Sequence, residues 1–164
     1  MLALQGREAL IRAMGGPAFP PEVLARMIHH LESAWPFEGC GVILKGEGED
    51  GPWRVVPLPN ASATPRVAYA FAPEAWLQVC LEAEARRETL VSVFHSHIDT
   101  AATFSAEDRR QAAPGGVLLL PGVSYEVISI HGGRATSGSS SQWMKGDFQG
   151  VPIPLPDFRF EKPL

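Results

Sequence analysis

The run Leu90-Val91-Ser92-Val93-Phe94 passes without a break into His95-Ser96-His97. Its β-branched and aromatic residues read as a buried strand. Successive side chains on a strand point to opposite faces, so His95 and His97 project the same way. Any fold that takes this strand into its core must therefore present two imidazoles side by side at the strand's end. Asp108 follows eleven residues after His97, with Ser105 between them. Two imidazoles and a carboxylate suit a zinc ion whose fourth position is left to water, the arrangement of a catalytic site.

Each of these residues also has a plainer reading. Ser105-Ala106-Glu107-Asp108 has the form of a capping box, in which Ser105 bonds a backbone N–H and the acid reaches back to the cap residue. Spacing alone does not choose between a helix start and a metal ligand for Asp108. His29, His30 and His131 lack a partner at ligand spacing and read as solvated side chains. Further upstream, Pro36-Phe37-Glu38-Gly39-Cys40-Gly41-Val42-Ile43-Leu44 sets a carboxylate just before a glycine-flanked apolar strand. An acid at the mouth of a core strand can serve as a general base, because partial burial raises its pKa toward the working range.

Elsewhere the pattern alternates between helix and strand. Val23, Leu24, Met27, Ile28 and Leu31 recur at helical spacing up to Ser33, with Pro36 beyond as a stop. Gly41–Leu44 and Trp53–Leu58 read as strands, Pro57 marking the second as an edge or strand end. Asn60–Pro65 is a loop, where Asn60-Ala61-Ser62 reads as loop chemistry rather than a glycosylation acceptor. Val67–Phe71 is expected to be a short strand. Pro73 opens a helix to about Arg87, its apolar side drawn from Trp76, Leu77, Val79, Cys80, Leu81 and Ala83. A short helix runs from Ser105 to Ala113, and Val117–Leu120 and Tyr125–Ile130 read as strands about a Pro-Gly turn. Gly132–Ser141 reads as a loop or weak edge strand, and the proline-rich tail after Gly150 as an extended arm. Such mixed, irregular order predicts a single α/β (α+β mixed) domain.

Composition narrows the function classes. A chain of 164 residues buries roughly 68–70% of its unfolded surface in one core. A net charge of -4 with scattered arginines gives no basic stripe, so no nucleic-acid partner is expected. No apolar run approaches the ~20 residues of a membrane span, and the N-terminus lacks a signal-peptide pattern, so a cytoplasmic location is expected. Cys40 and Cys80 make no disulfide framework and are expected to be buried, which argues against a thiol nucleophile.

Taken together, Glu38, then His95-Ser96-His97, seven residues, Ser105, two residues and Asp108 resemble the signature of the JAMM (MPN+) zinc metalloprotease family. The resemblance covers roughly residues 22–145, and Ile98 stands where most members carry proline. It implies a single JAMM/MPN-like domain over residues 21–148, with a mixed, curved β-sheet flanked by helices. Residues 1–20 would be an N-terminal extension and residues 149–164 a proline-rich tail.

The resemblance further implies that His95, His97 and Asp108 hold one Zn²⁺ per chain. Glu38 would act as general base and Ser105 as hydrogen-bond donor to the oxyanion. The implied substrate is an amide bond at the C-terminal tail of a ubiquitin-like or sulfur-carrier protein, as for compact prokaryotic members. Two alternatives stand beside it: a non-catalytic MPN-like scaffold for a protein partner, and a zinc hydrolase of a small amide. A tail-binding groove by β-augmentation beside Val67–Phe71 is a further expectation.

Overall fold

The computed structural model describes residues 18–156 of the chain. Helix α1 (Pro21–Ala34) begins with proline at its first position, where the missing N–H costs nothing, and ends before Pro36. It buries Val23, Met27, Ile28 and Leu31, the stripe that the sequence periodicity predicts. Strands β1 (Cys40–Gly46) and β2 (Trp53–Leu58), helix α2 (Pro73–Arg86), strand β3 (Glu88–Ile98) and helix α3 (Ala106–Ala112) follow. Three strands close the order: β4 (Ser124–His131), β5 (Arg134–Met144) and β6 (Asp147–Pro152).

All six strands form one sheet in the order β2-β1-β3-β4-β5-β6. Among the described strands only β3 and β4 run parallel, joined by a crossover that carries α3. The sheet separates two apolar layers. Met27 and Leu31 of α1 pack with Ile43, Phe94 and Ile128 on one face. Val79 of α2 and Ala112 of α3 pack with Val42, Val93 and Val127 on the other. Val93 and Phe94 thus face opposite layers, so His95 and His97 fall on the α2/α3 face and Ser96 on the α1 face.

Glycine permits the close approach of these layers at β1. A Cβ on Gly41 would stand 2.4 Å from the Val56 carbonyl oxygen and 2.5 Å from Phe94 Cζ. A Cβ on Gly39 would stand 2.9 Å from both Ala34 Cβ and Leu31 Cδ2. Both glycines are therefore set by crowding on the α1 face of β1, while Cys40 between them packs into the opposite layer.

The mixed α+β fold and the elements bordering the site match the sequence expectation, whereas four local assignments do not. Val67–Phe71 forms no strand; only an isolated bridge joins Asn60 to Phe71, because Asn60 ties up the neighbouring backbone groups. Val117–Leu120 is irregular, and Val117 and Leu119 are exposed. Gly132–Ser141 lies largely within β5, an interior strand, paired with β4 on one side and β6 on the other, and its buried Ser140 donates to Glu126. The sheet also continues past Gly150 to Pro152, where an arm was expected.

Helix α2 buries Val79 alone, leaving Leu77, Leu81 and Cys80 exposed, so the expected burial of Cys80 is wrong while that of Cys40 holds. His30 is half-buried, not solvated: its Nε2 bonds the Cys40 carbonyl at 3.2 Å and its ring edges onto Phe94. Among the described residues no helix is long and apolar enough to cross a membrane.

Below β3 and β4 the α1-side layer contains an unexpected acid. Glu126 is fully buried and receives hydrogen bonds from the hydroxyls of Ser92 (2.8 Å), Ser124 (2.8 Å) and Ser140 (3.1 Å). Burial pushes its pKa up to about 7, although all three serines pull the other way. A carboxyl raised above its unfolded value contributes stability that is full below the unfolded pKa and is lost as pH climbs through the folded one. Urea unfolding at pH 5 and pH 8 checks this. The wild-type chain should lose stability between the two, whereas Glu126→Gln, which cannot ionise, should gain on it at pH 8 relative to pH 5.

Candidate metal centre

Strand β3 delivers the two imidazoles. His95 pairs with Cys40 of β1 and Val127 of β4, so its backbone is fixed from both sides and its side chain is completely buried. His97 lies two residues on, at 9% exposure, where the sheet meets solvent. Ile98 remains in the strand opposite Ile130, and the chain leaves the sheet at Asp99 with a φ of 54°. The usual proline is thus replaced by one further strand pair, and the turn comes immediately after it.

Helix α3 delivers the carboxylate, and Asp108 both caps the helix and faces the two imidazoles. Ser105 Oγ accepts from Asp108 N at 3.0 Å while Ser105 N donates to Asp108 Oδ2 at 2.8 Å, a complete capping box. The same carboxylate points at the histidines, Oδ1 lying 3.2 Å from His95 Nε2 and Oδ2 lying 3.3 Å from His97 Nε2. The cap is what aims the ligand.

The two Nε2 atoms stand 3.1 Å apart, and each is met by a different oxygen of the Asp108 carboxylate. Donors about 2.0–2.1 Å from a tetrahedral metal stand roughly 3.3 Å from one another, close to the spacing of these pairs, and one ligand atom from each of the three residues lies within 4.8 Å of the others. Donor chemistry agrees. His97 Nδ1 bonds the Ala101 carbonyl at 2.9 Å, which leaves the Nε2 of the neutral ring with a lone pair directed toward His95 and Asp108. His95 is stacked on Tyr69 at a ring separation of 4.3 Å, and its Nδ1 has no hydrogen-bond partner among the described residues. Its orientation is set by that ring face and not by an acceptor behind it.

Electrostatics divides the titratable groups. Burial lowers the pKa of His95, keeping the ring neutral. Burial works the same way on His97 but is outweighed by Asp108 and the Ala101 carbonyl, so its pKa rises. Burial would raise Asp108, yet the bonds from His95 and His97 hold it well below the usual carboxylate range. Glu38 moves the other way: burial lifts its pKa to about 7, with His97 opposing and Asp108 reinforcing the shift. The nearby Cys40 thiol is pushed up by burial to about 12, so it is no nucleophile near neutral pH.

His95, His97 and Asp108 are thus brought together as expected from sequence, and Glu38 lies within their electrostatic reach. Tyr69, Ser96, Asn60 and the Ala101 carbonyl were not anticipated. Asn60 was legible only as a loop former, and nothing in spacing marks a tyrosine that will stack on a ligand.

A buried His-His-Asp cluster on an α+β sheet, with Glu38 in its electrostatic reach, is compatible with metal coordination. Comparison agrees: residues 20–144 match the prokaryotic homologs of the JAB domain, and the chain belongs to that family. It is 34% identical over 118 residues to the desampylase of Haloferax volcanii, covering 72% of this chain and 78% of that protein. It is 33% identical over 108 residues to the CysO-cysteine peptidase of Mycobacterium tuberculosis, covering 66% and 69% of the two chains. Among solved structures it resembles a protein from Desulfitobacterium hafniense, with a TM-score of 0.63 and 27% identity over 82% of this chain and 89% of that one. A protein from Salinibacter ruber gives a TM-score of 0.57 and 27% identity over 88% and 94%.

Ser105→Ala should cost about 1 kcal/mol of stability through the lost cap. It should also weaken metal affinity about tenfold, because Asp108 is then aimed by one bond fewer. Denaturant unfolding of the metal-free protein and competitive metal titration measure the two effects separately.

Proposed function

We propose that this chain is a zinc-dependent peptidase that hydrolyses an amide bond at the C-terminal tail of a ubiquitin-like or sulfur-carrier protein. One observation carries the reading: one ligand atom each from His95, His97 and Asp108 lies within 4.8 Å of the others, with Glu38 in electrostatic reach of them. These three residues would hold one zinc ion per chain. When bound, zinc polarises a carbonyl oxygen and makes water acidic near neutral pH. The kinship with a desampylase and with CysO-cysteine peptidases supports a protein tail as substrate.

The chain's own residues divide the remaining work. Glu38, with its pKa near 7, takes the proton of the attacking water and passes it to the departing amine. Ser105 Oγ accepts from Asp108 N, which leaves its hydroxyl proton to donate to the substrate oxygen as that atom gains charge. Asp108 stays ionised throughout, because both histidines favour its charged form. Burial around His95, Tyr69 and Val93 keeps bulk water from the inner side of the site.

Mass spectrometry of a ubiquitin-like carrier extended beyond its C-terminal Gly-Gly, incubated with the zinc-loaded chain, tests the proposal. Cleavage directly after the diglycine is expected. Glu38→Gln should lower the rate by about 10²–10⁴-fold while zinc content is retained. Chelation should abolish cleavage, and alkylation of the exposed Cys80 should leave it intact. No zinc uptake under metal-replete conditions would instead favour a scaffold, and cleavage confined to small amides a different hydrolase.

A further inference from the structure

Glu38 lies just outside β1, where regular strand pairing has ended, yet its backbone is fully engaged. Glu38 N donates to the Pro65 carbonyl at 2.7 Å. The Glu38 carbonyl accepts from Asn60 Nδ2 at 2.9 Å, and the next amide, Gly39 N, donates to Ser96 Oγ at 2.8 Å. Both polar groups of the Glu38–Gly39 peptide are therefore held by side chains, one from the 60–71 loop and one from the residue between the two histidines. Ser96 N also donates to the Gly39 carbonyl at 3.0 Å, so Ser96 grips this segment twice.

Each partner is itself fixed. Asn60 uses its whole amide: Nδ2 also donates to the Ala68 carbonyl at 2.9 Å, and Oδ1 accepts from Ser62 N at 3.0 Å and Ala70 N at 3.2 Å. Ser96 is completely buried on the α1 face of β3, opposite the imidazoles, so it reaches Gly39 without crowding them. Gly39 has no room for a side chain, as Ala34 and Leu31 close over it. A peptide plane with both ends bonded cannot rotate without breaking a buried hydrogen bond, and that plane sets the direction of the Glu38 Cα–Cβ bond.

We propose that Asn60 and Ser96 are positioning residues that clamp the Glu38–Gly39 peptide and thereby aim the Glu38 carboxylate at the metal centre. This rests on the reading of Glu38 as general base. Asn60 links the base to the ligand set a second way, since the loop it braces also carries Tyr69, the ring stacked on His95. Strand β3 thus supplies ligands from one face and the grip on the base from the other.

The test uses zinc-loaded full-length chain and the extended carrier substrate, with Ser96→Ala, Ser96→Thr and Asn60→Asp variants. Asn60→Asp removes the two donated bonds and keeps both accepted ones, so it probes the clamp from a different element if Ser96→Ala folds poorly. Expected are a kcat loss of up to about 10²-fold, the scale of a small misplacement of a catalytic group, with KM and zinc content unchanged. NMR hydrogen exchange at the Gly39 amide of metal-free protein should accelerate in Ser96→Ala, and Ser96→Thr should restore both slow exchange and rate. In a Glu38→Gln background, Ser96→Ala should cost nothing more, because the two act as one unit.

Wild-type kcat in both Ser96→Ala and Asn60→Asp would overturn the clamp, as would a loss matched by lost zinc or a further loss in the Glu38→Gln background. A fully active Glu38→Gln would instead remove the base reading itself.

Discussion

The register between β1 and β3 is the constraint on which the site depends. Pairing Cys40 with His95 places the end of one strand against the start of the ligand segment in the other. Everything chemical then follows from the pleat. His95 and His97 share the face toward α2 and α3, and Ser96 takes the opposite face, where Gly39 arrives. A slip of one residue would exchange those faces, burying imidazoles under α1 and turning Ser96 toward the carboxylate. Packing guards against such a slip, because only glycine at 41 clears Phe94 and the Val56 carbonyl at this register.

Much of this is legible in the chain, for identifiable reasons. The apolar runs of β1 and β3, the stripe of α1 and the Ser-x-x-Asp helix start are local patterns whose period or cap chemistry can be read directly. What escaped the sequence is non-local. Asn60 bonds Glu38 and Ala68 across separations of 22 and 8 residues, and these bonds replace the strand that Val67–Phe71 would otherwise suggest. The glycine- and serine-rich β5 lacks a hydrophobic alternation of its own; it is an interior strand because its Ser140 completes the surroundings of Glu126 and because β6 pairs with its far side. The α2 pattern misled in the opposite sense: apolar residues at helical spacing do not bury when the sheet has room for only one side of the helix, and Val79 fills it.

Asp108 shows why a weak local signal and a strong distant one need not compete. A cap residue is held in place by the helix terminus it completes, and a metal ligand must be held before the ion arrives. One carboxylate is placed for both, offering Oδ2 to Ser105 N and to the His97 side and Oδ1 to His95. The helix terminus thereby becomes part of the site's rigidity. Ser105, which bonds the Asp108 amide, is left with a hydroxyl proton facing outward from the cap.

The two carboxylates of the site are separated in role by what surrounds them. Asp108 and Glu38 are both largely withdrawn from water, and burial alone would raise the pKa of each. Asp108 escapes that fate because two imidazoles and a backbone N–H bond its oxygens, so ionisation is favoured and the group remains a charged ligand. Glu38 has its backbone held, not its carboxylate compensated, and burial therefore prevails, bringing it to about 7. Two acids in one pocket driven apart in this way are suited to the division of roles proposed for them, a standing anion and a proton carrier. The fold achieves the division by spending its hydrogen bonds on the carboxylate of one and on the peptide group of the other.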